Sequence, residues 1–236
     1  MTALAVLLDE NGVAYIAADG LMTGRDGRRR DEFAVKTARI NDNVAVGFSG
    51  DVGYGNQLLA HLFKHSELAQ CEDRIDLCAL LEACDVTVPG GTYEGARDWI
   101  SWQLLAWKSD WDAKGEEIPD LNVALAGISE QGARFSVWHC AHDWRIEQCG
   151  IWEPGCMFGY PLGPMADGEA KAALKNKAKT PPNRLRDCVR VFAKKRPETV
   201  NRNVLIRSSD SGFRMNRTKW PLSEGIQWPN ADLTAR

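Results

Sequence analysis

Four residues in the amino-terminal quarter of the chain are of types that could together serve amide-bond chemistry. Thr2 stands directly behind Met1, Asp19 follows 17 residues later, Lys36 another 17 after that, and Gly50 closes the run Gly47-Phe48-Ser49-Gly50. A threonine hydroxyl is a poor nucleophile until a base takes its proton. A free α-amine, with an ordinary pKa of about 7.7–8.0, can act as that base near neutrality. Removal of Met1, which a small second residue permits, puts hydroxyl and amine together on Thr2. A cation at Lys36 favours the neutral form of a nearby amine and stabilises a developing alkoxide, and Asp19 can hold that cation in place. Gly50 is the candidate oxyanion donor, because its N–H sits at a strand-to-helix turn where no side chain blocks the approach of a substrate backbone.

Each residue alone has a plainer reading. Thr2 is then only the second residue, Lys36 a solvated lysine on an edge strand, Asp19 a turn aspartate making a local hydrogen bond, and Gly50 a turn glycine. The catalytic reading rests on their combination, and so on the elements that must bring them together.

Residues 2–8 and 13–18 read as two strands around Asn11-Gly12, a dipeptide suited to a two-residue hairpin turn. Polar residues 21–32, with Gly24 and Gly27, predict a loop or ragged hairpin before a third strand, Phe33 to Ile40. Val44 to Gly50 is apolar on both faces and predicts a fully buried strand. Asp51 can cap a helix running to Leu68, and a short helical piece follows at Ile75 to Ala83. Tyr93 to Trp111 carries Trp99, Trp102, Leu105 and Trp107 at helical intervals, and this aromatic surface suits either core packing or a subunit contact.

Three strands, Asn122 to Ile128, Ala133 to Cys140 and Trp144 to Gly150, read as a meander that Cys156 to Tyr160 can join before Pro161 breaks it. Helices are expected at Ala166 to Lys175 and Asn183 to Lys195, and strands at Asn203 to Ser208 and Gly212 to Met215. Residues 217–236 have no clear period and read as a C-terminal arm or loop. Strands in blocks and helices in blocks predict an α+β domain of antiparallel sheets covered by helices.

Length and composition fit one domain. The chain has 236 residues, 44% of them hydrophobic, enough for a sizeable core. A formal net charge of −3 offers no basic excess to hold a phosphate backbone, which argues against nucleic acid as a partner. The absence of a signal-like start and of any apolar run of about 20 residues predicts a cytoplasmic chain with no membrane partner. The seven cysteines include no Cys-x-x-Cys pair and are expected to be reduced thiols. His139, Cys140 and His142 suggest a metal cluster at first sight, but a strand turns His139 and Cys140 to opposite faces, so no metal site and no cofactor is expected.

Thr2, the hairpin ending Ile16-Ala17-Ala18-Asp19-Gly20, Lys36 followed by Arg39-Ile40, and Gly47-Phe48-Ser49-Gly50-Asp51 together resemble a proteasome-type β subunit. The Gly-Phe-Ser-Gly run is closest to the bacterial HslV branch. The likeness covers residues 2 to about 65. It implies the four-layer αββα sandwich of N-terminal nucleophile hydrolases, a threonine protease acting on peptide or protein substrates, and a homo-oligomeric ring, with room for an ATPase or activator partner. The catalytic set it implies is Thr2, Asp19, Lys36 and Gly50, with Thr23, Ser49 and Tyr160 at the substrate. Tyr160 stands where the family carries a serine that helps hold the nucleophile's amine. The family's later Asp-x-x-Ser is also absent, and Glu198 and Asn201 lie at a comparable place and spacing. These departures leave two alternatives open: a catalytically silent structural subunit, or a narrow amidase or acyl-transfer enzyme on the same fold.

Overall fold

The turn after the first strand is built around Asp9. This carboxylate is 2% exposed; it accepts hydrogen bonds from the amides of Asn11 and Val13, both at 2.9 Å, and from the Tyr15 hydroxyl at 3.2 Å. Gly12, at φ +77°, supplies the left-handed conformation that closes the turn. Strands β1 (Leu4–Leu8) and β2 (Ala14–Asp19) then pair antiparallel, Leu4 opposite Ala18 and Leu8 opposite Ala14. The computed structural model describes residues 3–23, 29–31, 34–64, 77–115, 120–139, 145–151, 158–162 and 168–215.

Both faces of the hairpin are buried, which explains its unbroken apolar sequence. Leu4, Val6, Leu8 and Ile16 pack toward a second sheet. Ala5, Leu7, Tyr15 and Ala17 pack instead against helices α4 (Gly168–Lys175) and α5 (Pro181–Lys195), through Leu174, Leu185, Val189 and Phe192. The hairpin sits at the centre of a four-stranded antiparallel sheet, in the order β10-β1-β2-β11, with β10 at Phe158–Leu162 and β11 at Val204–Ser208.

The facing sheet has five antiparallel strands in sequential order: β5 (Thr37–Asn41), β6 (Val44–Gly50), β7 (Leu121–Ser129), β8 (Gly132–His139) and β9 (Arg145–Ile151). Its inner face contributes Ala45, Ala124, Ala126, Phe135 and Val137 to the core between the sheets. Small residues on this side let the two sheets approach. Its outer face, through Val46, Phe48, Val123 and Leu125, carries helices α1 (Val52–Leu62), α2 (Leu77–Ala83) and α3 (Tyr93–Lys114). The architecture is therefore mixed α+β, two antiparallel sheets face to face with helices on both outer surfaces. A two-stranded ribbon, β3 (Met22–Thr23) with β4 (Arg29–Asp31), follows the hairpin, as the ragged-hairpin expectation allowed.

Local chemistry accounts for the helix ends. Asp51 caps α1 by accepting from the Tyr54 amide. Thr92 caps α3 in the same way through Gly95, and Gly115 ends that helix in the left-handed conformation. Within the α1–α3 layer the Trp111 indole donates to the Tyr54 hydroxyl at 3.1 Å. Trp111 is buried, whereas Trp102 is 63% and Leu105 57% exposed.

Several expected boundaries move. The strand expected over Phe33 to Ile40 begins only at Thr37, because residues 34–36 cross between the sheets, with the Ala34 amide donating to Gly20 O at 2.8 Å. Helix α1 ends at Leu62 with Phe63 as its cap, six residues before the expected Leu68. The run ending at Tyr160 does not join the meander. It continues through Pro161 to Leu162 as β10 and pairs with β1, Tyr160 opposite Val6 and Pro161 opposite Ala5. Proline is tolerated because β10 is an edge strand. The strand expected over Gly212 to Met215 is absent: a 3-10 turn at Ser209–Ser211 leads into Gly212 at φ +61° and Phe213 at φ +54°, which no ladder accepts. Met1, Thr2, the His142 region and the arm at 217–236 lie outside the described residues.

Candidate active site

Asp19 lies at the carboxyl end of β2, fully buried, and four donors converge on its carboxylate. Oδ1 accepts from the Ala3 amide at 2.9 Å and from Lys36 Nζ at 3.3 Å. Oδ2 accepts from the Leu21 amide at 3.0 Å and from the Asn201 amide at 3.3 Å. A buried carboxylate demands such partners, since each unsatisfied lone pair carries a desolvation cost. Lys36, 4% exposed, also donates from Nζ to the Leu21 carbonyl.

The ladder explains how the lysine reaches this position. Lys36 O accepts from the Phe48 amide at 3.1 Å, just before Thr37 pairs with Gly47. Gly47 leaves room for this crossing, because a Cβ there would lie 3.0 Å from Thr37 Cγ2 and 3.2 Å from Lys36 O.

Gly50 occupies the end of β6 at φ +101°. A Cβ on it would lie 1.8 Å from Asp120 O, so only glycine fits. Because Phe48 N donates to Lys36 O on the β5 side, strand alternation through Ser49 turns the Gly50 N–H to that same side, beyond Lys36, while Asp51 N donates to Asp120 O at 2.7 Å. Asp19, Lys36 and the approach to Gly50 therefore gather at one end of the sandwich, together with Ala3, the residue after Thr2.

The remaining sequence candidates fall differently. Ser49 is buried; its hydroxyl accepts from Asn122 Nδ2 at 3.3 Å, and Asn122 Oδ1 lies 2.5 Å from His139 Nδ1. These three residues form one rung across β6, β7 and β8. Thr23 is in β3, with its backbone opposite Arg29, and Tyr160 is in β10, with its backbone opposite Val6; both side chains lie outside the described set. Glu198 is not at the site. It is exposed and pairs with Arg196 at 3.6 Å. Asn201 is there: besides its amide bond to Asp19, its Oδ1 accepts from Gly20 N at 3.1 Å and Asn203 N at 3.2 Å. Arg39 is structural, donating to Asp42 at 2.7 Å and to Asp85.

Sequence reading missed Asn122 and the buried Arg207. His139 entered only as a metal ligand; the strand alternation that removed it from a cluster with Cys140 also turns it inward beside Asn122. Among the described residues, no group of three or more histidine, cysteine or acidic side chains is arranged to hold a metal ion. No helix among them is long and apolar enough to cross a membrane. Among the described residues, Cys78, Cys84 and Cys188 are in the thiol form, and burial pushes the Cys188 thiol well above its ordinary range. Comparison with known proteins finds no matching family model and no matching curated protein.

Proposed function

We propose that the chain is an N-terminal threonine hydrolase of the proteasome β-subunit type, with the αββα fold of N-terminal nucleophile hydrolases, cleaving peptide or other amide bonds from Thr2 after removal of Met1. The observation that carries this reading is the sharing of Asp19 Oδ1 between the Ala3 amide and Lys36 Nζ, at 2.9 and 3.3 Å. One carboxylate oxygen ties the residue after the nucleophile to the cation proposed to serve it.

In the proposed reaction the Thr2 hydroxyl oxygen adds to the amide carbonyl carbon while its proton passes to the Thr2 α-amine. The Gly50 N–H stabilises the oxyanion, and the Lys36 cation favours the neutral amine and the developing alkoxide. The carbon–nitrogen bond then breaks, the leaving amine takes the proton, and the acyl group remains as an ester on Thr2. Water adds to that ester, giving a proton to the same α-amine, and collapse frees the acid and restores the threonine. Asp19 fixes the lysine and does not meet the substrate.

The reading also includes a homo-oligomeric ring, working in the cytoplasm, with an ATPase or activator as its partner. The exposed pair Trp102 and Leu105 on α3 is the kind of surface a subunit contact covers. Tyr160, in place of the family's serine, is the observation behind a second reading, a catalytically silent ring subunit. Hydrolysis of fluorogenic peptides by the wild type and by Thr2→Ala separates the two. Turnover that Thr2→Ala abolishes supports the hydrolase; turnover unchanged in that variant removes Thr2 from the mechanism, and no turnover across a broad peptide panel favours the silent subunit.

A further inference from the structure

Arg207 is 1% exposed, on the inward face of β11, and each of its three guanidinium nitrogens donates a hydrogen bond. Nε donates to Thr37 Oγ1 at 2.8 Å and Nη2 to Thr37 O at 2.9 Å, while Nη1 donates to Phe213 O and Glu82 Oε2, both at 2.8 Å. Thr37 is the residue after Lys36 and the first of β5, which is an edge strand. Since Lys36 O bonds to Phe48 on β6, the Thr37 carbonyl turns to the open edge, where no strand can receive it. The guanidinium takes the place of that missing strand. It bridges the two sheets, and Glu82 of α2 supplies the countercharge.

Asp19 and Arg207 lie on adjacent strands of one sheet, β2 and β11, and grip consecutive residues, Lys36 and Thr37, of the other. Without the second grip, the start of β5 would be held on one side only. We propose that Arg207 is a positioning residue for Lys36, acting through the Thr37 backbone and hydroxyl, with Glu82 orienting the guanidinium. Its catalytic consequence rests on the reading of Lys36 given above; its geometric consequence does not.

The test follows Lys36 directly. In full-length protein labelled with 13C and 15N lysine, the Lys36 side-chain signal is assigned with Lys36→Arg and its titration recorded in the wild type, Arg207→Lys, Thr37→Val and Glu82→Gln. Arg207→Lys keeps the charge but cannot span both Thr37 oxygens. It is expected to shift the Lys36 signal and its titration and to lower kcat on a fluorogenic peptide by about tenfold or more, with KM within about twofold, because small misplacements of catalytic groups have effects of this size.

Thr37→Val deletes one bond and is expected to move both readouts less, in the same direction; should Arg207→Lys not fold, it carries the test. Arg184→Met is the control, since Arg184 is equally buried but holds Lys179 O at 2.7 Å, far from β5 in the fold. It should lower stability and leave the Lys36 signal and kcat alone. An unchanged Lys36 signal in folded Arg207→Lys and Thr37→Val, or an equal shift in Arg184→Met, overturns the proposal. If Thr2→Ala shows that the chain is not a hydrolase, the Lys36 signal still decides the role of Arg207.

Discussion

Lys36 Nζ lies 3.3 Å from Asp19 Oδ1, with the two side chains only 4% and 0% exposed. Burying such a pair has a desolvation cost that its attraction offsets only when the remaining hydrogen-bonding positions are also filled. Here they are, by the amides of Ala3, Leu21 and Asn201 on the carboxylate and by Leu21 O on the ammonium. An arrangement this costly for stability alone is a reason to expect that it serves chemistry at the head of β1.

Removing the carboxylate exposes that cost. Asp19→Ala leaves a buried cation without its countercharge and three amides, two of them buried, without their acceptor, and is expected to lower unfolding stability by about 3–5 kcal/mol and to abolish peptide turnover. Urea denaturation gives the first value and a fluorogenic assay the second. A loss under about 1 kcal/mol would place the pair in the solvated class.

Asp187 offers the contrast. Hydrogen bonding from Lys179, followed by the charges of Lys179 and Arg190, holds its carboxyl below the ordinary range. The folded-state value being depressed, its contribution is present above the ordinary aspartate value of about 3.9 and is lost as pH falls below it. Because the pair is partly exposed, Asp187→Asn is expected to cost under about 1 kcal/mol at neutral pH. Urea midpoints at pH 7 and pH 2.5 should show the difference at neutrality and its disappearance in acid.

Gly50→Ala places a methyl 1.8 Å from Asp120 O on a backbone at φ +101°. A destabilisation above about 1 kcal/mol is expected, measured as a drop in melting temperature. Gly168→Ala is the matched control, because a Cβ there meets nothing within 4 Å. Equal melting temperatures for the two variants would contradict the close approach of β6 to Asp120.

At the hairpin turn, burial and then the Asp9 carboxylate raise the Tyr15 phenol above its usual value. The folded chain therefore keeps this proton where the unfolded chain has released it, so the contribution is complete below about pH 10 and falls as pH rises above it. Tyr15→Phe is expected to flatten the fall in urea midpoint between pH 9 and 11 and to cost about 1 kcal/mol at pH 7 through the lost bond to Asp9. The buried Cys188 thiol, also raised, keeps part of the alkaline slope in the variant.

Much of the site's scaffold was legible because it depends on local signals. Asn11-Gly12 announced the hairpin, the unbroken apolar run of β6 announced a strand covered on both sides, and Asp51 announced a helix cap. Asp19 and Lys36 were readable as a pair only through the resemblance whose motif they match; alone, they read as a turn aspartate and a solvated lysine. What the sequence hid depends on distant partners. Arg207 reads as an ordinary charged residue in an alternating strand until β11 is set across from the edge of β5. Pro161 reads as a strand breaker until β10 is known to be an edge, and the Ser49–Asn122–His139 rung needs the registers of three strands. Gly212 to Met215 misled because apolar alternation says nothing about the positive φ of Phe213.

The central claim, that Thr2 is an amino-terminal nucleophile, is tested most directly by the mass of the amino-terminal peptide after incubation with a peptide epoxyketone, a probe that closes a ring onto both the amine and the hydroxyl of a terminal threonine. The account predicts a peptide that begins at Thr2 and carries one inhibitor. A peptide that retains Met1, or one that begins at Thr2 and carries no inhibitor, would contradict it.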